Sequence, residues 1–397
     1  MELRLIDAIG PFFRGIKRRR LNWSKIPFHD LPVGSDAGDH WEDIRKGLND
    51  FATEVLAAGF NAVTLDDVAH LTDHPWYENE VRERIGYFSD RFEELIDDLL
   101  QRELRVYVTS DVVTMTKAIS RKTKGCREKQ REFYFEILER FFVRFPGVEG
   151  VILRVGESDG LDVHDDLRSE LHLRSPKEGN GFLKELLPRM EAAGKTVILR
   201  TWTVGAYRLG DLIWHRGTLG KMLEGISSEK FILSMKPGDS DFFRYLPLNK
   251  AFFRYEGKKV LELQARPEYE GAGELPTFLG YQYSRYAEEL EGVKNLVGVS
   301  VWCQTGGWHR FRRLAFFDEG SPWVENNARV ALGIFAHGES LATSIPEGAE
   351  FFELLDRVIR EVFYIRPFAE QKLFFRRVRI PPLLHVYWDT VFLIAPV

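Results

Sequence analysis

The chain reads as an α/β protein, a (β/α)8 TIM barrel followed by a C-terminal helical region, and three observations lead there. Short runs rich in Val, Ile, Leu and Phe recur eight times, as parallel strands buried on both faces require. Amphipathic stretches of helical period separate them, which predicts a parallel sheet, and eight such units predict its closure. From about residue 323 onward the alternation stops and helical patterns follow one another with no strand between them.

The eight candidate strands are 18–23 (RRRLNW), 60–67, 104–111, 150–157, 196–202, 231–236, 260–265 and 297–303. Segments such as DIRKGLNDFATEVLAAG and DRFEELIDDLLQREL place apolar residues at helical spacing between them. The boundaries read as a catalytic barrel over 1–322 and a helical region over 323–397. The latter is expected to pack on the barrel or to form a homodimer through its helices.

With 44% hydrophobic residues, 30 Phe, 13 Tyr and 9 Trp, the chain has enough apolar surface for a large core. A net charge of −5 lacks the one-sided basic field that nucleic acid or an anionic membrane calls for, so neither is expected as a partner. The basic runs at 17–20 and 120–131 read as solvated faces. Cys126 and Cys303 lie far apart, which suggests neither a disulfide framework nor a zinc site. His70, Asp73 and His74, and likewise residues 164–166, lack a metal-ligand spacing, so no metal and no cofactor are expected. The first residues carry no basic leader with an apolar run, and the expected compartment is the cytoplasm. Walker, dinucleotide-binding and GxSxG patterns are absent from the sequence.

Barrel enzymes carry their reacting groups on the loops that follow the strands. Here those positions hold Asp66, Asp67 and His70 after strand two, Asp111 after strand three, Glu157 and Asp159 after strand four, and Arg200 with Trp202 on strand five. Lys236, Asp239 and Asp241 follow strand six. Gln264, Arg266, Glu268 and Glu270 follow strand seven, and Trp302, Gln304, Trp308 and His309 follow strand eight. Carboxylates for proton transfer, with aromatic faces for pyranose rings, suit an oligosaccharide substrate. Each also has a plainer reading: Asp241 as a helix cap, Glu268 as a partner of Arg266, Trp302 and Trp308 as packing, and His70, His164 and His309 as structural residues.

At these residues the chain resembles the xylan α-glucuronidase family of glycoside hydrolases. The stretch 231–253 followed by 260–271 carries that family's pattern at Lys236, Gly238, Asp241 and Phe242, then Glu262, Gln264, Glu268, Tyr269 and Gly271. RRRLNW, GFNAVTLDDV and VILRTWTVGAY resemble its first, second and fifth strands in the same order, and together these segments sample most of residues 14–310. The resemblance implies an exo-acting, inverting hydrolase that removes an acidic sugar, with Asp241 and Glu268 as the base side. It implies Arg200 and Lys236, then Arg154, as cations for the sugar carboxylate. The family's Ser-Glu-Gly signature on the strand-four loop, which holds its general acid, is here Gly156-Glu157-Ser158-Asp159-Gly160. Glu157 keeps the residue type and Asp159 the place before glycine. Glu157 is taken as the acid and Asp159, with Trp202 and Trp302, as substrate-binding. An inverting pair needs roughly 6.5–9.5 Å between acid and base to admit a water. The alternatives are a hydrolase of a different glycoside, and a barrel that binds sugar or serves as a scaffold without chemistry.

Overall fold

The computed structural model describes residues 1–16, 25–156, 165–201, 207–210, 212–213, 215, 217–238, 241–267, 270, 276–304, 314–317, 320–344 and 349–363. Eight parallel strands close into a barrel: β1 (Leu3–Asp7), β2 (Ala62–Leu65), β3 (Arg105–Asp111), β4 (Gly150–Arg154), β5 (Thr196–Arg200), β6 (Phe231–Met235), β7 (Lys259–Gln264) and β8 (Leu296–Trp302). Each pairs with its sequence neighbours, and β1 meets β8 with Leu3 opposite Gly298 to seal the cylinder. The first strand is therefore Leu3–Asp7 and not residues 18–23, whose RRRLNW run lies outside the described residues. LRLID closes the sheet because Leu3, Leu5 and Ile6 are all buried there.

A helix follows every strand: α1 (Gly38–Ala57), α2 (Asn79–Gln101), α3 (Arg127–Arg144), α4 (Pro176–Ala192), α5 (Thr218–Met222), α6 (Ala251–Arg254), α7 (Gly280–Glu289) and α8 (Pro322–His337). Local signals explain their ends. In α4, Ser175 and Glu178 form a reciprocal capping box and Pro176 occupies the first turn, where its missing N–H costs nothing. Gly338, at φ 67°, takes the left-handed conformation that ends α8. Helix α8 packs on β8 and α7. Beyond it, Ala349–Val358 forms a further helix.

Successive strand residues point to opposite faces, so every second residue faces the barrel axis. Leu3, Leu5, Ala62, Tyr107, Ile152, Ile198, Ile232 and Val260 cluster together inside the cylinder, apart from the larger apolar layer between sheet and helices. The same period of two, carried toward the strand ends, turns Asp7, Asp66, Asp111, Arg154, Arg200, Lys236, Glu262, Gln264 and Trp302 inward above that floor. All nine are buried. Two glycines make the close approach of strands feasible: a Cβ at Gly150 would sit 2.1 Å from the Thr196 carbonyl oxygen, and one at Gly298 2.0 Å from that of Leu3.

Candidate active site at the C-terminal rim

Two buried ion-pair groups fill the C-terminal end of the barrel. The first joins β2, β3 and β4. The Arg154 guanidinium donates from Nε to Asp111 Oδ1 at 2.7 Å and lies 3.8 Å from Asp66 Oδ1. Lys25, on the loop after β1, reaches the other oxygen of Asp111 at 2.5 Å. Asp66 accepts from the Ile26 backbone N–H at 2.7 Å and from the Thr109 hydroxyl. The two carboxyls are pushed apart electrostatically. Burial would raise Asp111, but Arg154 and Lys25 outweigh it and hold the group at about 2. Asp66 keeps a raised value, because burial dominates over the more distant Arg154. A pair of acids with diverging proton affinities is the usual setting for acid and base roles, and each oxygen of Asp66 already accepts one hydrogen bond from the protein.

The second group joins β5, β6 and β7. Arg200 presents Nε at 3.2 Å to both oxygens of Glu262 and Nη2 at 2.6 Å to Oε1, while the Ser234 hydroxyl donates to Oε2 at 2.7 Å. Burial alone would raise Glu262; Arg200, Lys236 and Ser234 outweigh it and keep the carboxyl below its ordinary value. The Trp302 ring lies under the Arg200 guanidinium at 4.3 Å and fixes its plane. Lys236 sits over the Phe242 ring at 4.5 Å and pairs with Asp241. Asp241 itself has φ 42°, in the left-handed region that few non-glycine residues adopt, although Asp tolerates it better than most. Such conformations cluster where function requires a fixed direction for one side chain.

Of the expected site residues, Arg200, Lys236, Asp241 and Trp302 come together here. Asp241 is no helix cap, since the next helix begins ten residues later at Ala251. Trp302 gives one face to Arg200, and its indole N–H is buried with no hydrogen-bond partner. Glu157, Asp159, Trp202 and Glu268 lie outside the described residues, as do His164, Asp239, Tyr269, Gly271, Trp308 and His309. The sequence reading gave no role to Lys25, which only the fold carries to Asp111, and none to the inward-pointing Glu262 beyond its place in the family pattern.

The rim is braced from outside. Arg244, between β6 and α6, holds Glu270 with Nε to Oε1 at 2.7 Å and Nη2 to Oε2 at 2.5 Å, and lies 3.4 Å from Asp356 on the helix 349–358. Across the barrel seam, Asp7 accepts the backbone N–H groups of Cys303 at 2.6 Å and Gln304 at 2.9 Å. Among the described residues no group of three or more His, Cys, Asp or Glu is arranged to hold a metal ion, and no helix is long and apolar enough to cross a membrane.

No family model and no curated protein matches the chain. Solved structures do. An enzyme of glycoside hydrolase family 138 that targets pectin rhamnogalacturonan II is similar over 94% of this chain and 43% of its own, with 12% identity and a TM-score of 0.55. A family 89 glycoside hydrolase from Clostridium perfringens is similar over 84% of this chain and 37% of its own, at 10% identity and a TM-score of 0.45. A broad-specificity endoglucanase of family 5 from Clostridium longisporum is covered over 97%, at 12% identity and a TM-score of 0.43. The chain thus spans less than half of the first two. At these identities the likeness shows the fold, a closed (β/α)8 barrel.

Proposed function

We propose that the chain is the catalytic barrel of a glycoside hydrolase, exo-acting and inverting, that removes an acidic sugar from an oligosaccharide. The observation that carries this reading is the Lys236–Asp241 pair beside the Arg200–Glu262 fork at the inward-facing rim of the barrel. It supplies a half-buried carboxylate of fixed direction next to two buried cations. The same barrel in an enzyme that targets pectin rhamnogalacturonan II supports a carbohydrate substrate.

In this reading Glu157, or Asp159 in its stead, protonates the leaving oxygen, while Asp241 with Glu268 takes a proton from the attacking water on the opposite face of the ring. Water adds to the anomeric carbon as the glycosidic bond breaks, so one proton enters the leaving group and one remains on the base side. Glu262 holds the Arg200 fork, and Arg200 and Lys236 receive the sugar carboxylate. One feature favours a second reading, a hydrolase of a neutral glycoside: both cations already face protein carboxylates, which lowers the gain from an added anion.

A panel of 4-nitrophenyl glycosides and short oligosaccharides, uronides included, decides between them. Turnover of uronides is expected, with the first product of opposite anomeric configuration by proton NMR. Asp241→Asn and Glu268→Gln should each lower kcat by several powers of ten in a folded chain. Turnover of neutral glycosides alone selects the second reading. Near-normal kcat in both variants overturns the base assignment, and no turnover on any member overturns the hydrolase.

A further inference from the structure

Asp241 is carried by the loop between β6 and α6, and that loop is tied down behind the rim. At its base the Asn249 backbone N–H donates to the Pro237 carbonyl at 2.7 Å. Leu246 is buried against Gly238, where a Cβ would meet its Cδ1 at 3.1 Å, and the Leu246 carbonyl accepts from Arg285 Nη2 of α7 at 2.9 Å. Between these points stands Arg244, buried with its charge. Besides the two oxygens of Glu270, its guanidinium reaches the Thr277 hydroxyl, the Phe278 carbonyl at 3.3 Å and Asp356 Oδ1 at 3.4 Å.

The frame it grips is itself fixed. The Thr277 hydroxyl donates to Glu270 Oε2 at 3.0 Å. Asn327, fully buried in α8, accepts from the Leu279 backbone N–H at 2.9 Å and donates to the carbonyls of Ala265 and Thr277, each at 3.1 Å. A run of buried polar contacts thus leads from α8 through the loop after β7 to Arg244.

Asp241 lies three residues before this anchor. The two residues between them cannot absorb a shift, because Lys236 sits over the Phe242 ring at 4.5 Å and Phe243 is buried. On either side of Arg244 the backbone is left-handed, at φ 42° for Asp241 and 62° for Tyr245. Neither is a glycine, and such conformations persist only where the surroundings over-determine them. The bidentate fork of a buried arginine supplies direction as well as attraction, which the point charge of a lysine does not reproduce.

We propose that Arg244 is a positioning residue for the reaction: gripping the loop after β7, it holds the turn 241–245 in its left-handed form and so keeps the Asp241 carboxylate against Lys236. This rests on the hydrolase reading, in which Asp241 belongs to the base side.

Deuterium uptake by the peptide 241–253 of the full chain, read by mass spectrometry, reports the anchor without reference to activity. In Arg244→Lys its rate should rise by about tenfold, with uptake in α1 unchanged. On a turned-over glycoside, kcat should fall by about tenfold with KM within about twofold. In an Asp241→Asn background the same substitution should change the residual kcat by less than about twofold, because the group it positions is gone. Thr277→Val, which removes one contact of the fork, should show the same pattern at about threefold and takes the place of Arg244→Lys if that variant is unfolded by circular dichroism. Unchanged uptake overturns the anchor. Faster uptake with unchanged kcat overturns the positioning role, as does an equal loss of kcat in both backgrounds or global unfolding of both variants, each of which marks a merely structural part. Near-normal kcat in Asp241→Asn removes the base assignment and this role with it, whereas a wild-type chain that turns over no glycoside removes the hydrolase reading. In either case the uptake rates still decide the anchor.

Discussion

Glu262 offers a direct measure of how the rim is held. It is fully buried, accepts from two nitrogens of Arg200 and from Ser234, and lies within the field of Lys236. Removing one partner of such a pair strands the other charge in a low-dielectric site, at about 3–5 kcal/mol. Glu262→Gln keeps one acceptor oxygen, so the loss should fall at the lower end, about 3 kcal/mol by urea denaturation. Arg200→Met combined with Glu262→Met removes both charges and should recover most of that loss, giving a coupling energy of about 2 kcal/mol or more. The pH dependence follows from the depressed native value. The pair's contribution is fully present above the unfolded value of about 4.5 and is lost as the pH falls through the lower native one, so the gap between wild type and Glu262→Gln should narrow in acid. A Gln variant within about 0.5 kcal/mol of wild type, or a double variant that loses the sum of the single losses, would refute the reasoning.

Two further outcomes follow from the packing. Gly298→Ala places a methyl group 2.0 Å from the Leu3 carbonyl oxygen, so it should prevent β1 from seating and cost several kcal/mol or all soluble expression, read by Tm and yield. Cys303 is fully buried and its thiol is pushed up by burial and by Asp7, whereas Cys126 is half-buried, so a thiol reagent should titrate one cysteine in the native chain and the second only in denaturant.

Seven of the eight strands were legible because a strand buried on both faces is a short apolar run, and the structure places each within two residues of where the sequence puts its start. The first was not. LRLID is five residues long and carries Arg4 and Asp7, and the family likeness assigns the first strand to RRRLNW although that run carries three arginines; closure against β8 is what reveals LRLID. The rim residues were legible for the same reason as the strands, since each sits at the end of an apolar run. Their pairings were not. Arg200 and Glu262 are 62 residues apart, and Lys25 and Asp111 are 86 apart, so no local pattern connects them. The stacking of Arg200 on Trp302 inverts the role that an aromatic at the rim suggests by itself, because a face turned to a guanidinium is one fewer for a sugar.

The seam between β1 and β8 has a temporal side. The partner of Leu3 is Gly298, and the backbone groups that Asp7 caps belong to Cys303 and Gln304. During synthesis at about 5–20 residues per second, roughly 15 to 60 seconds separate the emergence of the first strand from that of its closing neighbour. Through that interval one edge of β1 has no partner within its own chain and remains open to pairing with another. The short length of β1 and its charged residues, Arg4 and Asp7, then act as a safeguard for a nascent chain, and a variant that made this segment longer and uniformly apolar would aggregate during translation even if its finished barrel were more stable.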